Sequence, residues 1–315
     1  MTLISSLSAV VMALIAVVCF FPALRLGERR RMVAFLVLGM VVALSPVLIP
    51  LQHRPARIMA SGFALLLVMK MWDLHVGALH GERPHFREFL AFFANLFLLV
   101  LRKKGHERQP TTSQNLWNLA VGIFGSAAAA VLMVLLLKFD WAGIPFLLEH
   151  ALKATVFFGF AVAFFQTCVA TTRLIGGYLV SFSDQPIMAR TPAEFWRRYN
   201  RLVGQFLHED VFKFLRGRRC PIRATVGVFL VSGLIHEYLF WIVIGRLEGF
   251  QMIFFLVQGC AVALTLRIKP TGREALVWGG VTFVFNLMTS MFFFASVQSV
   301  IGFYHGGLPA WLRIW

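Results

Sequence analysis

Ala224-Thr225-Val226-Gly227-Val228-Phe229-Leu230-Val231-Ser232-Gly233-Leu234-Ile235-His236-Glu237-Tyr238-Leu239-Phe240-Trp241-Ile242-Val243-Ile244 decides how this chain is to be read. The run has the roughly 17–25 apolar residues that a helix needs to cross a bilayer. A helix here puts His236 about 18 Å from its start, near the midplane of a ~30 Å hydrocarbon core. An ionisable side chain at that depth is costly, so it marks a candidate site unless it is simply bonded within its own helix. Ser232 and Gly233 beside it let a second helix come close. Glu237 points roughly 100° away around the helix and need not partner His236.

The rest of the chain has the same character. It is 59% hydrophobic and 14% charged, with 33 Phe among 315 residues and a mean hydropathy of +0.76. Soluble domains run near 25% charged, so water is not the main solvent. Apolar windows fall at about 3–21, 33–51, 58–72, 117–138, 152–172, 224–244, 250–266 and 276–303. The expected fold is all-α: one integral membrane domain over 1–315, with about eight transmembrane helices plus interfacial or re-entrant ones. The run Phe86–Leu101 is short and follows Arg87 and Glu88, which fits an interfacial or re-entrant helix. The window 276–303 is long enough for one tilted helix, or for a helix broken near Asn286. The first apolar run has no basic residue before it, while Arg25, Arg29, Arg30 and Arg31 follow. That pattern reads as a retained first helix rather than a signal peptide.

Charge orients the bundle. Thirty Lys and Arg face 14 Asp and Glu, a net charge of +16. In a soluble protein this excess would suggest nucleic acid, but here the basic residues gather between apolar segments, as cytoplasmic loops do. The connections 22–32, 73–116, 173–223 and 267–275 are basic (Arg102-Lys103-Lys104 is one cluster), whereas 52–57, 139–151 and 245–249 are not. The expectation is a multi-pass protein that meets membrane lipids and no nucleic acid, with the basic connections cytoplasmic and both termini outside. The longest connection, 173–223, has ten basic residues against four acidic ones, a net of +6. Within it, Thr191-Pro192-Ala193-Glu194 reads as a capped helix start, continuing through Phe195-Trp196-Arg197-Arg198-Tyr199-Asn200 towards Phe206. Such a helix can lie at the headgroup boundary with its arginines snorkelling.

Several chemistries are excluded. His236-Glu237 would begin a zinc-protease motif only if a second histidine stood at position 240, which is Phe240. The histidines His75, His80, His85 and His106 have no His-His pair and fit a loop better than a di-iron centre. Lys70-Met71-Trp72-Asp73 fits anchoring at a membrane edge. The cysteines Cys19, Cys168, Cys220 and Cys260 form no Cys-x-x-Cys pair, so neither a zinc site nor a disulfide framework is indicated. No Gly-x-Ser-x-Gly elbow or phosphate-binding glycine loop is present. No internal repeat suggests a transporter.

Taken together, Phe195-Trp196-Arg197-Arg198-Tyr199-Asn200 and Val231-Ser232-Gly233-Leu234-Ile235-His236-Glu237 resemble the membrane-bound O-acyltransferase family, and within it the wax-synthase-like branch. That branch pairs a Phe-Trp-x-Arg-Trp-Asn type element with a Ser-Gly-x-x-His-Glu helix; Tyr199 stands where Trp is more usual. Leu207-His208-Glu209-Asp210-Val211 looks like the stretch that follows the asparagine, and the clear match covers about 185–245. The resemblance implies transfer of a fatty acyl group from acyl-CoA, or an acyl carrier, to the hydroxyl of a lipid-like alcohol, without a cofactor. Sterols, polyketides, sugars or other metabolites are alternative acceptors. It implies His236 as general base and Asn200 as hydrogen-bond donor to the thioester carbonyl or oxyanion, with Arg197, Arg198 and Arg201 near the donor's phosphates. Trp196, Tyr199, Ser232 and Glu237 complete the expected substrate-binding set. Acyl chain length, acceptor identity and oligomeric state do not follow from these motifs.

Overall fold

A computed structural model describes residues 2–103 and 108–313. Eleven α-helices follow one another among these residues: α1 (Thr2–Ala23), α2 (Glu28–Leu44), α3 (Arg54–Leu79), α4 (Phe86–Ala94), α5 (Thr112–Lys138), α6 (Phe146–Leu174), α7 (Pro192–Arg198), α8 (Arg201–Phe206), α9 (Pro221–Ile244), α10 (Phe250–Thr265) and α11 (Gly272–Ile301). Seven of them, α1, α2 (extended to Leu48), α3, α5, α6, α9 and α11, are long and apolar enough to cross a membrane. The chain is thus an integral multi-pass helix bundle. The eighth expected span is α10, whose 16 residues cover about 24 Å at 1.5 Å per residue. It is a shorter partner held inside the bundle rather than a full-length span. α11 runs unbroken for 30 residues, which settles its reading as one helix with Asn286 in its interior. α4 is the short helix expected after residue 85, with Phe89 and Phe92 buried on one side. Lys104 and His106 lie outside the described residues.

Glycine sets how tightly α9 and α10 pair. A Cβ at Gly259 would lie 2.6 Å from the Phe229 Cβ, and one at Gly233 would lie 2.7 Å from the Met252 sulfur. An added side chain at Gly259 would push the helices apart and one at Gly233 would displace the Met252 thioether, so small residues at the contact let the backbones meet. Glu237 fixes the turn between the two helices. Its Oε1 accepts the Glu248 N–H at 3.0 Å and the Gly249 N–H at 2.6 Å, satisfying donors ahead of α10. The carboxylate next to His236 therefore bonds the following turn.

Two buried polar networks differ from what the sequence pattern suggests. Lys70 and Asp73 are not edge anchors: each is 1% exposed. Lys70 donates to the carbonyls of Phe92 (2.8 Å) and Asn95 (2.6 Å), closing α4 and its exit onto α3. A buried ammonium has to be bonded in this way, and carbonyls freed at the end of α4 supply the partners. At the other end of the bundle, Glu149, His150 and Lys153 are buried in the first turns of α6. The His150 Nε2–H donates to the Leu287 carbonyl (2.8 Å), so its Nδ1 accepts from the Tyr304 hydroxyl (2.7 Å). Lys153 bonds Glu149 and donates to the Phe303 carbonyl (2.7 Å). These bonds fasten residues 303–305 to α6 and α11.

Gly259→Val is expected to destabilise the α9–α10 pair by about 1–3 kcal/mol through overpacking. The check is thermal unfolding of the detergent-purified protein, where the variant's midpoint falls below that of wild type.

Candidate active site

The motif helix begins as its residues dictate. Thr191 caps α7, its side chain accepting the Glu194 N–H at 3.1 Å, and Pro192 fills the first position. Glu194 reaches back to the Arg190 N–H (2.9 Å) and pairs with Arg198 (2.6 Å). Burial works to raise this carboxyl, but the Arg190 N–H and the Arg198 guanidinium outweigh it and hold it below the usual carboxylate range.

The expected continuous helix to Phe206 does not form. The chain breaks at Asn200, which takes the left-handed conformation (φ 44°) and starts α8 anew. Asparagine is one of the few non-glycine residues that tolerates this region, and its Oδ1 accepts the Val203 N–H at 3.3 Å as the cap of α8. Residues 182–184 bracket the corner: the Asp184 N–H donates to the Arg198 carbonyl (2.9 Å), and the Arg201 N–H to the Phe182 carbonyl (2.7 Å). With Oδ1 facing a backbone donor, the two Nδ2 hydrogens of Asn200 point elsewhere.

α7 is drawn into the bundle rather than left at its edge. Trp196 packs against Phe229 of α9 (ring centroids 5.3 Å) and Phe255 of α10 (5.9 Å). Its indole N–H donates to Gln258 Oε1 at 2.9 Å. Gln258, 1% exposed, passes the bond on to Thr289 Oγ1 (2.8 Å) and Asn286 Oδ1 (3.2 Å) of α11. Tyr199 stacks on Phe158 of α6 at 5.1 Å, and burial pushes its phenol up to about 12.

His236 stands on the other side of the same aromatic group. Its ring lies 4.4 Å from Phe255 and 6.1 Å from Phe293 of α11. Nδ1 is 2.9 Å from the Ser232 carbonyl. A carbonyl only accepts, so Nδ1 carries the proton and, in a neutral ring, Nε2 keeps its lone pair. The bond within its own helix thus fixes which ring nitrogen can accept a proton. Ser232 contributes that carbonyl, and its own hydroxyl donates to Val228.

The structure thus links Trp196 of α7 to His236 through Phe255, with Asn200 at the end of α7 and no hydrogen bond between Asn200 and His236 among the described residues. Of the expected arginines, Arg198 is engaged by Glu194 and Arg197 is exposed, its Nε–H on the Ala193 carbonyl at 3.3 Å. Arg201 holds the corner through its backbone. Lys213, Arg216, Arg218 and Arg219 instead line a cavity of about 600 Å³ with Gly217, just before α9 begins. Gln258, Thr289, Phe255 and Phe293 were not legible as site residues; the available signal was a pair of glutamines, Gln251 and Gln258, inside an apolar helix. His75 is buried in α3, where it receives the Arg31 Nε–H at 3.3 Å. His80 and His85 flank the turn between α3 and α4. Among the described residues no cluster of three or more His, Cys, Asp or Glu is arranged for a metal ion.

Residues 184–298 match the membrane-bound O-acyltransferase family. The match contains both the corner and the histidine helix. Over 98 residues it is 36% identical to a sterol O-acyltransferase 2 of Rattus norvegicus, covering 30% of this chain and 18% of the relative. A probable long-chain-alcohol O-fatty-acyltransferase 2 of Arabidopsis thaliana is 31% identical over 136 residues, 38% of this chain and 39% of the relative. Another, numbered 3, is 28% identical over 221 residues, 61% of this chain and 63% of the relative. The chain spans less than two thirds of the length of each.

Gln258→Leu should leave the buried Trp196 N–H without an acceptor, costing about 1–3 kcal/mol. Thermal unfolding in detergent measures the loss, and an unchanged midpoint would contradict the bond.

Proposed function

We propose that the chain transfers a fatty acyl group from an acyl-CoA thioester to the hydroxyl of a lipid-like alcohol. The observation that carries this reading is the fixed tautomer of His236, whose lone pair on Nε2 is held among apolar rings in a membrane helix. A base in such a place can accept a proton from an alcohol without competing with bulk water. As Nε2 takes that proton, the alcohol oxygen attacks the thioester carbonyl carbon. The tetrahedral intermediate then collapses with cleavage of the carbon–sulfur bond, and the departing thiolate receives the proton from the imidazolium. Asn200 Nδ2 donates to the carbonyl oxygen as negative charge develops there, a contribution that is large in a dry site. The capped side chain supports this role because its oxygen is already occupied by Val203.

The donor's phosphates are assigned to the cavity of Lys213, Arg216, Arg218 and Arg219, which supports a cytoplasmic placement of the motif loop. The names of the Arabidopsis relatives favour a long-chain alcohol acceptor; that of the rat relative favours a sterol as the second reading.

Wild type and His236→Ala, given long-chain acyl-CoA and a panel of alcohols and sterols, test the reading by mass spectrometry of the esters. The expected outcome is ester from wild type, with the variant inserted in the membrane but slower by at least about 10²-fold. Equal turnover by both would remove His236 as the base. Asn200→Ala should lower kcat by about 10²–10³.

A further inference from the structure

Asn200 sits where two short helices meet, and each helix is anchored at its far side. α7 is held through Trp196 and Gln258. α8 runs directly into a π-helical turn, Leu207–Phe212, which carries the segment Leu207-His208-Glu209-Asp210-Val211. Phe206 packs against Met69 of α3 and against Leu99 and Val100. Beyond it, Asp210 is 1% exposed and bonded to Arg102, whose guanidinium also holds Asp73 through Nε (3.2 Å) and a terminal nitrogen (3.0 Å). Asp73 Oδ2 accepts the Leu101 N–H at 2.9 Å, and the Trp72 indole N–H lies 3.4 Å from the Asp210 carbonyl. One arginine thus bridges two buried carboxylates, one from α3 and one from the rod that begins at Asn200. Asp73 and Arg102 both lie outside residues 184–298, where the family match falls.

We propose that Asp73, Arg102 and Asp210 form a clamp that positions Asn200, making all three positioning residues for the acyl transfer. Removing the Asp210 charge leaves the rod tied to α3 by apolar packing and a long indole bond, and a small rotation of the rod is magnified at its capped end. Only arginine suits the middle position, because its planar fork can address two carboxylates at once. Asp210 is pushed up to about 7, first by burial and then by the Asp73 charge, with Arg102 working against both. The groups facing it are Asp73 and Trp72 from α3 and Arg102 and Lys103 from the preceding connection, with His208 and Glu209 on its own turn; Lys103 pairs with Glu209 at 3.7 Å. A raised carboxyl is protonated below its pKa and ionised above it. The bridge is therefore complete above about pH 7 and loses its second carboxylate as pH falls through that value.

The clamp rests on the acyl-transfer reading for its kinetic consequence, so the test pairs kinetics with a measurement independent of turnover. Full-length wild type, Asp210→Asn, Asp210→Glu and Arg102→Lys are compared in detergent micelles from pH 6 to 8.5. At pH 8, Asp210→Asn and Arg102→Lys are expected to lose about ten-fold in kcat with less than two-fold change in the KM for acyl-CoA. Wild type and Asp210→Asn converge at pH 6, and Asp210→Glu recovers most of the rate. Hydrogen exchange followed by mass spectrometry should show faster exchange over residues 198–206 in Asp210→Asn and Arg102→Lys at pH 8, with α11 unchanged. Wild-type kcat at pH 8 in both variants, or unaltered exchange around Asn200, overturns the clamp. A wild type that forms no ester counts against the acyl-transfer reading instead, and the exchange data still decide the clamp.

Discussion

The second half of the structure depends on a backbone corner. At Asn200 the chain leaves one short helix and enters another, in a conformation that most residues resist. The corner survives because the backbone on either side is bonded to residues 182–184 and because the asparagine caps the helix it starts. If Asn200 continued the helix instead, Trp196 could not reach the α9–α10 contact while Asp210 faced α3. The asparagine is thus a structural element as well as a reactive-site candidate, and its cap leaves the amide hydrogens available.

Several buried polar groups are retained where a group distant in the chain completes them. Gln258 joins three helices through its amide. Glu237 serves a turn, and Lys70 collects the carbonyls at the end of a short helix. Such networks are costly to leave half made in a medium that offers no water. They hold the apolar helices in a single arrangement, which lipid-facing packing alone would specify weakly.

Much of this was legible in the sequence, for identifiable reasons. Apolar length gives the long spans, and Thr191, Pro192 and Glu194 give the start of α7, because a cap is a local device with local partners. The break at Asn200 was not legible: asparagine permits the left-handed region without requiring it, and the bonds that hold it there come from a neighbouring segment. Asp73 looked like an edge anchor because its partner Arg102 lies 29 positions further along the chain, and the second carboxylate that Arg102 holds, Asp210, another 108 beyond that. Glu149, His150 and Lys153 were passed over for the same reason, since Leu287 and Tyr304 stand 137 and 154 residues from His150. For the site itself, His236 announced its own depth, whereas the rings that surround it come from helices whose register no single segment reveals.

The glycine contact between α9 and α10 has a consequence for traffic. A seam too tight to admit one added carbon at Gly259 is closed to a hydrocarbon chain at that level. The space beside the His236 ring is bounded instead by the rings of Phe255 and Phe293.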